Sequence, residues 1–130
     1  RLIERNTTMK MRELIDALPS LRKISEQDLS TRTLYRVSKM MKKLENDLDF
    51  YDRQRHKLIG DYCEEKDGRN EPKPEHKEIF EKEFMELLEL EVTPDDFTPI
   101  EIPEEENLRL SYSDLCSLEK FVIIKFTEEE

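Results

Sequence analysis

The sequence predicts a mainly helical domain with a small β-element, an α+β fold, and three observations point that way. Apolar residues recur at alternating steps of three and four through Leu34, Val37, Met41, Leu44, Leu48, Tyr51, Leu58 and Tyr62, with Arg55 standing in the same stripe. A shorter stripe follows through Ile79, Phe80, Phe84, Leu87 and Leu88. Beyond Leu90 the texture changes to prolines and acids with Phe97, Ile100 and Ile102 between them. Steps of three and four put side chains on one side of a helix, whereas proline at that density stops one.

In chain order, Arg1-Leu2-Ile3-Glu4 is expected to be a short strand. Asn6, Thr7 or Thr8 then caps a helix with Met11, Leu14, Ile15 and Leu18 inward, and Pro19-Ser20 is expected to end it. Residues 21–29 form a connector pinned by Leu21, Ile24 and Leu29. Ser30 and Thr31 cap the long central helix, which runs unbroken by proline to about Lys66. At 1.5 Å per residue it would be roughly 50 Å long. Asp67-Gly68 and Asn70-Glu71-Pro72-Lys73-Pro74 mark the loop after it, and a second helix spans about Glu75 to Leu90. So short a loop favours an antiparallel helical hairpin, with a heptad-like, coiled-coil seam.

The C-terminal part, about 91–126, is expected to hold short strands and a short helix. Leu108-Arg109-Leu110 pairs with the Pro-containing segment, and Ser111 or Ser113 caps a helix through Leu115, Leu118, Phe121 and Val122. Residues 121–126, Phe-Val-Ile-Ile-Lys-Phe, read equally well as a strand. At 130 residues the chain is expected to be one domain, 1–130, whose helical part spans about 6–90.

Composition narrows the function. Only 2 Gly are present, which excludes the Gly-rich phosphate loops of nucleotide-binding folds. No apolar run reaches the roughly 18 residues of a membrane span, and no stretch reads as a signal peptide. Because the chain opens on Arg1 and not on Met, a short piece of its natural N-terminus is expected to be missing. Cys63 and Cys116 stand alone and far apart, as in a reducing, cytoplasmic setting. His56, Cys63 and His76 could be posed as metal ligands with a carboxylate, but their spacing matches no usual ligand pair, so no metal or other cofactor is expected. Carboxylate pairs such as Asp47 with Asp49 or Asp52 arise by abundance, and nothing sets two of them apart as acid and base. No catalytic residues and no enzymatic activity are therefore expected.

Charge is unevenly spread. Residues 1–60 hold 14 Lys+Arg against 9 Asp+Glu, and residues 61–130 hold 8 against 23, giving the net −10. Two candidate interaction surfaces follow. Arg32, Arg36, Lys39 and Lys43, spaced 4, 3 and 4, form a basic stripe opposite the apolar seam. Such a stripe can contact phosphate backbones, although −10 overall opposes nucleic-acid binding. Glu91, Asp95, Asp96, Glu101, Glu104, Glu105 and Glu106 form an acidic ridge with no Lys or Arg among residues 91–106. It reads either as a mimic of nucleic acid or as a solvated edge protected from aggregation.

Taken together, the order of motifs resembles a known family. Thr33-Leu34-Tyr35-Arg36-Val37-Ser38-Lys39 leads into Lys42-Lys43-Leu44-Glu45, then Tyr51-Asp52-Arg53-Gln54-Arg55-His56-Lys57-Leu58-Ile59 and Tyr62. Phe84-Met85-Glu86-Leu87-Leu88 with Glu91-Val92, an acidic Pro-rich region and Leu110-Ser111 before Asp114-Leu115 complete it. This resembles a family of small acidic proteins encoded by tailed phages and prophages. The resemblance implies a phage or prophage protein of the host cytoplasm or the virion, acting in virion assembly, as a virion component, or on the host. It supplies no active-site residues. The expected partner is a phage or host protein, and the partly covered seam is expected to make a homo-oligomer. An acidic inhibitor of a host nucleic-acid-binding or defence protein is the alternative, and a small nucleic-acid-binding module the third.

Overall fold

The computed structural model describes residues 8–94 and 97–126. It is mainly helical, with three small two-stranded sheets. The expected strand at residues 1–4, together with Asp95 and Asp96, lies outside the described residues.

Strand β1 (Met9–Lys10) leads directly into helix α1 (Met11–Ser25). The helix starts where Glu13 Oε1 accepts the Lys10 backbone N–H at 2.8 Å, satisfying an amide that has no partner within the helix. Pro19 does not end α1 as the sequence suggests. It sits inside the helix with its side chain exposed, and the helix continues because Ser20, Leu21 and Ile24 are buried one turn further on. Proline removes one ladder bond, to the Ile15 carbonyl, and the packing of the following turn outweighs that loss.

The central helix is divided. Helix α2 spans Thr31–Lys43 and α3 spans Glu45–Tyr62, with Leu44 between them at φ −92°, ψ −6°. Leu44 is fully buried; its N–H turns to the Met41 carbonyl at 3.1 Å, a tighter 3₁₀-type bond, while its carbonyl still accepts the Leu48 N–H at 3.1 Å. The buried face of α2 is Thr33, Val37 and Met40, one residue round from the expected Leu34 and Met41. Leu34 and Arg55, both placed in the seam by the sequence, are exposed. Arg55 thus has no burial to offset.

Helix α3 ends at Tyr62 instead of Lys66, because residues 63–66 form a strand. Strands β2 (Cys63–Lys66) and β3 (Arg69–Pro72) pair antiparallel around Asp67-Gly68. Both turn residues have positive φ, 52° and 77°, the geometry that matches the twist of a two-residue hairpin. A 3₁₀ turn at Pro74–His76 then enters helix α4 (Lys77–Glu89), which packs on α3. Leu58 and Leu87 are buried on these two helices.

Strand β4 (Glu91–Val92) pairs antiparallel with β1. Strand β5 (Ile100–Pro103) is followed by an acidic 3₁₀ turn at Glu104–Glu106 and by helix α5 (Tyr112–Ser117). Residues Val122–Lys125 form strand β6, not the end of a helix, and pair in parallel with β5. Leu108–Leu110 is not a strand; Arg109 is instead held by Gln27, which accepts its N–H at 2.8 Å and donates to its carbonyl at 3.0 Å. The core lies where α1, α2, Leu44, Val92, Phe97, Ile102, Leu118 and Phe121 converge. Phe97 and Phe121 meet edge to face there, with ring centroids 5.6 Å apart.

Candidate functional surfaces

The basic stripe is built by the register of α2. With Thr33, Val37 and Met40 inward, Arg32, Arg36, Lys39, Lys42 and Lys43 must point outward, and all five are exposed. No acid occurs between Thr31 and Lys43. Ion pairs among the described residues include Lys10 and Arg12 with Glu89, Lys23 with Asp114, Lys57 with Asp61, and Lys120 with Glu13. Arg32, Arg36, Lys39 and Lys42 therefore carry charge with no carboxylate partner among the described residues. Lys43 does have a partner. Lys39 Nζ lies 5.7 Å from the ring centroid of Tyr35, which is itself 61% exposed. Leu34 beside it is 41% exposed, so the face combines cations with an aromatic and an aliphatic side chain.

Charge also has a structural task at the start of this helix. Ser30 caps α2 by accepting the Thr33 N–H at 3.3 Å. Glu106 then reaches in from the acidic turn, accepting the Ser30 backbone N–H at 2.9 Å and hydrogen bonds from the Ser30 and Thr33 hydroxyls. These donors, Ser30 first and then Thr33, hold the Glu106 carboxyl below its ordinary range. A negative charge at a helix N-terminus is further favoured by the helix dipole. Glu106, assigned to the acidic ridge by sequence, is thus committed to α2.

The other described acids of the expected ridge are exposed on three elements. Glu91 is exposed on β4, Glu101 on β5, and Glu104 and Glu105 on the 3₁₀ turn. Both of the last two already have interactions. The five described acids of the ridge thus lie on β4, on β5 and on the acidic turn.

A second polar junction was not legible in the sequence. Asp114 accepts the Ser20 hydroxyl at 2.7 Å, the Lys23 ammonium at 2.5 Å and the Ser111 backbone N–H at 2.9 Å. Lys23 is the leading cause, with Ser111 next, of a carboxyl held well below the usual range. The junction locks α5 onto α1, and Ser111 closes it by accepting the Asp114 N–H at 3.1 Å. The only local signal is Ser111-x-x-Asp114, a capping pattern.

The residues considered for metal binding do not converge. His56 is exposed and its Nδ1 is 2.8 Å from the Asp52 carbonyl, Cys63 is half-buried at the start of β2, and His76 packs edge to face on Tyr62 at 5.4 Å. Burial pushes the Cys63 thiol pKa up, the reverse of what a nucleophile needs. Cys63 and Cys116 are both free thiols. Among the described residues no group of three or more His, Cys, Asp or Glu is placed to hold a metal ion. No helix among them is long and apolar enough to cross a membrane.

By fold, then, the chain is a mainly helical α+β domain whose most distinctive exposed feature is a basic helix on an acidic protein. Comparison with known protein families, curated proteins and solved structures finds no match.

Proposed function

We propose that this protein works by binding another protein and not by catalysis, with the exposed face of α2 as the contact surface for an acidic partner. The carrying observation is that Arg32, Arg36, Lys39 and Lys42 lack carboxylate partners among the described residues of a chain of net charge −10. Among the described residues no acid of this acid-rich chain neutralises those four cations. Leu34 and Tyr35 supply the apolar and aromatic contact that turns electrostatic attraction into a defined interface.

The α3–α4 unit supports the same reading. Helices α3 and α4 pack together across the β2–β3 turn with Leu48, Tyr51 and Tyr62 half-buried, which fits the hairpin arm with a heptad-like seam expected from the sequence. Phe80 and Phe84, both half-buried and stacked with centroids 5.8 Å apart, stiffen its α4 side. The resemblance to small acidic phage and prophage proteins supplies the setting, in which the partner is a virion or assembly protein in the host cytoplasm.

Capture experiments with purified protein in infected or lysogenic cell extract test the proposal. Wild type should retain a specific partner that Arg36→Glu with Lys39→Glu releases, while both proteins melt alike. Equal retention by the two, or binding of naked DNA that falls steeply with salt, would replace this reading with another surface or with nucleic-acid binding.

A further inference from the structure

Two-stranded parallel sheets are rare because parallel strands are ordinarily buried among neighbours on both sides. Here β5 and β6 form one, with no third strand beside either among the described residues. Strand β6 reads Val122-Ile123-Ile124-Lys125, followed by Phe126, which combines strong strand propensity with little polarity. Phe126 is 73% exposed and Ile123 45% exposed. A groove of about 290 Å³ beside them is lined by Leu108, Leu110, Leu115, Ile124 and Phe126. Natural sheets protect such an edge, because its free N–H and C=O groups accept any extended chain.

The phase of the ladder tells which groups are free. Ile100 N–H donates to the Phe121 carbonyl at 3.0 Å, and Ile100 is opposite Val122 in the parallel register. Successive residues of a strand direct their N–H and C=O to alternate edges. Phe121, Ile123 and Lys125 therefore face β5, and Val122, Ile124 and Phe126 face outward. The Val122 N–H is already taken by the Leu118 carbonyl at 3.0 Å. What remains outward is the Val122 C=O, both groups of Ile124 and the Phe126 N–H, with the Phe126 C=O beyond them at the strand's end.

That set is self-complementary. We infer that β6 pairs antiparallel with β6 of a second copy about a two-fold axis at Ile124, making one four-stranded sheet from two chains. In this register the two Ile124 residues exchange both backbone bonds. Each Phe126 N–H meets the other copy's Val122 carbonyl, and the occupied Val122 N–H is not needed. Phe126 then lies across from Val122 on the core side, covering both the ring and the groove with an aromatic–β-branched pair. On the other face, Ile123 stands between Glu101 of its own chain and Lys125 of the second copy, all three exposed. Two strand spacings separate that Glu and Lys at their backbones, about 9.6 Å, a span two long side chains close over Ile123. A two-fold contact closes on itself, so the assembly stops at two chains.

This surface is separate from α2, so the two proposals fail independently. Sedimentation equilibrium of the full chain up to about 100 µM should show a dimer that tightens from low to moderate salt, because screening relieves repulsion between two chains of charge −10. Phe126→Glu should weaken it at least about tenfold with the far-ultraviolet circular dichroism and melting unchanged. Ile123→Cys with Lys125→Cys, in a Cys63→Ser, Cys116→Ser background, should yield a disulfide dimer on oxidation. The positions face one another about 4.5 Å apart at Cα in the non-hydrogen-bonded pair, within disulfide reach. Three results overturn the inference. One is a monomer throughout, which would leave the edge to another segment of the same chain. Another is a dimer that salt dissolves and Phe126→Glu spares, which would assign association to charged faces. The last is the absence of cross-linking.

Discussion

Replacing Leu44 with Ala tests the architecture at its joint. Leu44 is fully buried in the main core and is the residue at which the central helix bends from α2 into α3. Truncation removes three carbons, and at about 0.8 kcal/mol per buried carbon the transfer loss alone is about 2.4 kcal/mol. Helices from both sides fix the surroundings, so the gap cannot collapse, and the cavity raises the expected cost to about 3–4 kcal/mol. Alanine's better helix propensity returns only about 0.2 kcal/mol. The control is Leu34→Ala, three turns earlier in the stripe but 41% exposed, where water fills the space and the loss should stay below about 1 kcal/mol. Leu48, half-buried at the edge of the core, should fall between them at about 1–2 kcal/mol. Urea unfolding followed at 222 nm, with equal m-values across the set, measures all three. Equal costs at Leu34 and Leu44 would refute the face assigned to α2 and the place of the bend.

Two further perturbations probe the polar and backbone features. Pro19→Ala should stabilise the protein by about 1–3 kcal/mol, since it restores a ladder bond in the middle of α1 at an exposed position; unchanged or lower stability in the same urea titration would mean the proline is needed there. Asp114→Asn should be less stable than wild type near neutral pH, and the gap should narrow as pH falls. The folded-state pKa of Asp114 is depressed, so its contribution is complete above the unfolded carboxylate value of about 3.9 and is lost as pH drops toward the folded one. Melting temperatures of the two proteins between pH 2 and 7 would show this, and a gap independent of pH would rule the mechanism out.

The parts that were legible in the sequence are those written in local periodicity. The second stripe, Ile79 to Leu88, lies within α4, and the long stripe includes the buried Leu58 of α3. The positions expected for the first helix include its buried Met11 and Leu14, while its buried Leu21 and Ile24 fall where the sequence reads as connector. What the sequence did not show was settled by partners far away in the chain. Val122–Lys125 is locally ambiguous between helix and strand, and becomes a strand because Ile100–Pro103 lies beside it. Pro19 is a helix terminator by its own chemistry, and only the buried turn at Leu21 and Ile24 overrules it. The hairpin at Asp67-Gly68 did carry a local signal, the two-residue turn itself. It was hidden by flanks such as Glu64-Glu65-Lys66 and Arg69-Asn70-Glu71, whose uniform polarity gives no alternation to read.

Among the candidate surfaces, the basic stripe was legible because helix geometry turns a 4, 3, 4 spacing into one face. What the acidic stretch did not reveal was the task of its individual members, because nearness in sequence is no guide to a side chain's partners. Glu106 shows this best: its partners Ser30 and Thr33 are more than 70 residues away.

The small β1–β4 pairing has a consequence for the birth of the protein. Met9–Lys10 meets Glu91–Val92, and Glu89 reaches back to Lys10 and Arg12, so the first described element is completed by residues made some 80 positions later. Helix α1 waits longer still, because its core neighbours Leu118 and Phe121 are made roughly 100 positions after it. At about 5–20 residues per second, its apolar face stays without its final cover for roughly 5–20 s on the ribosome. During that interval the nascent chain presents Met11, Leu14, Leu21 and Ile24 to whatever is near. Closing a loop of that size also makes the last contacts slow to find. A chain truncated before Leu118 should therefore be held by the cell's chaperones more than one that includes residues 118–126.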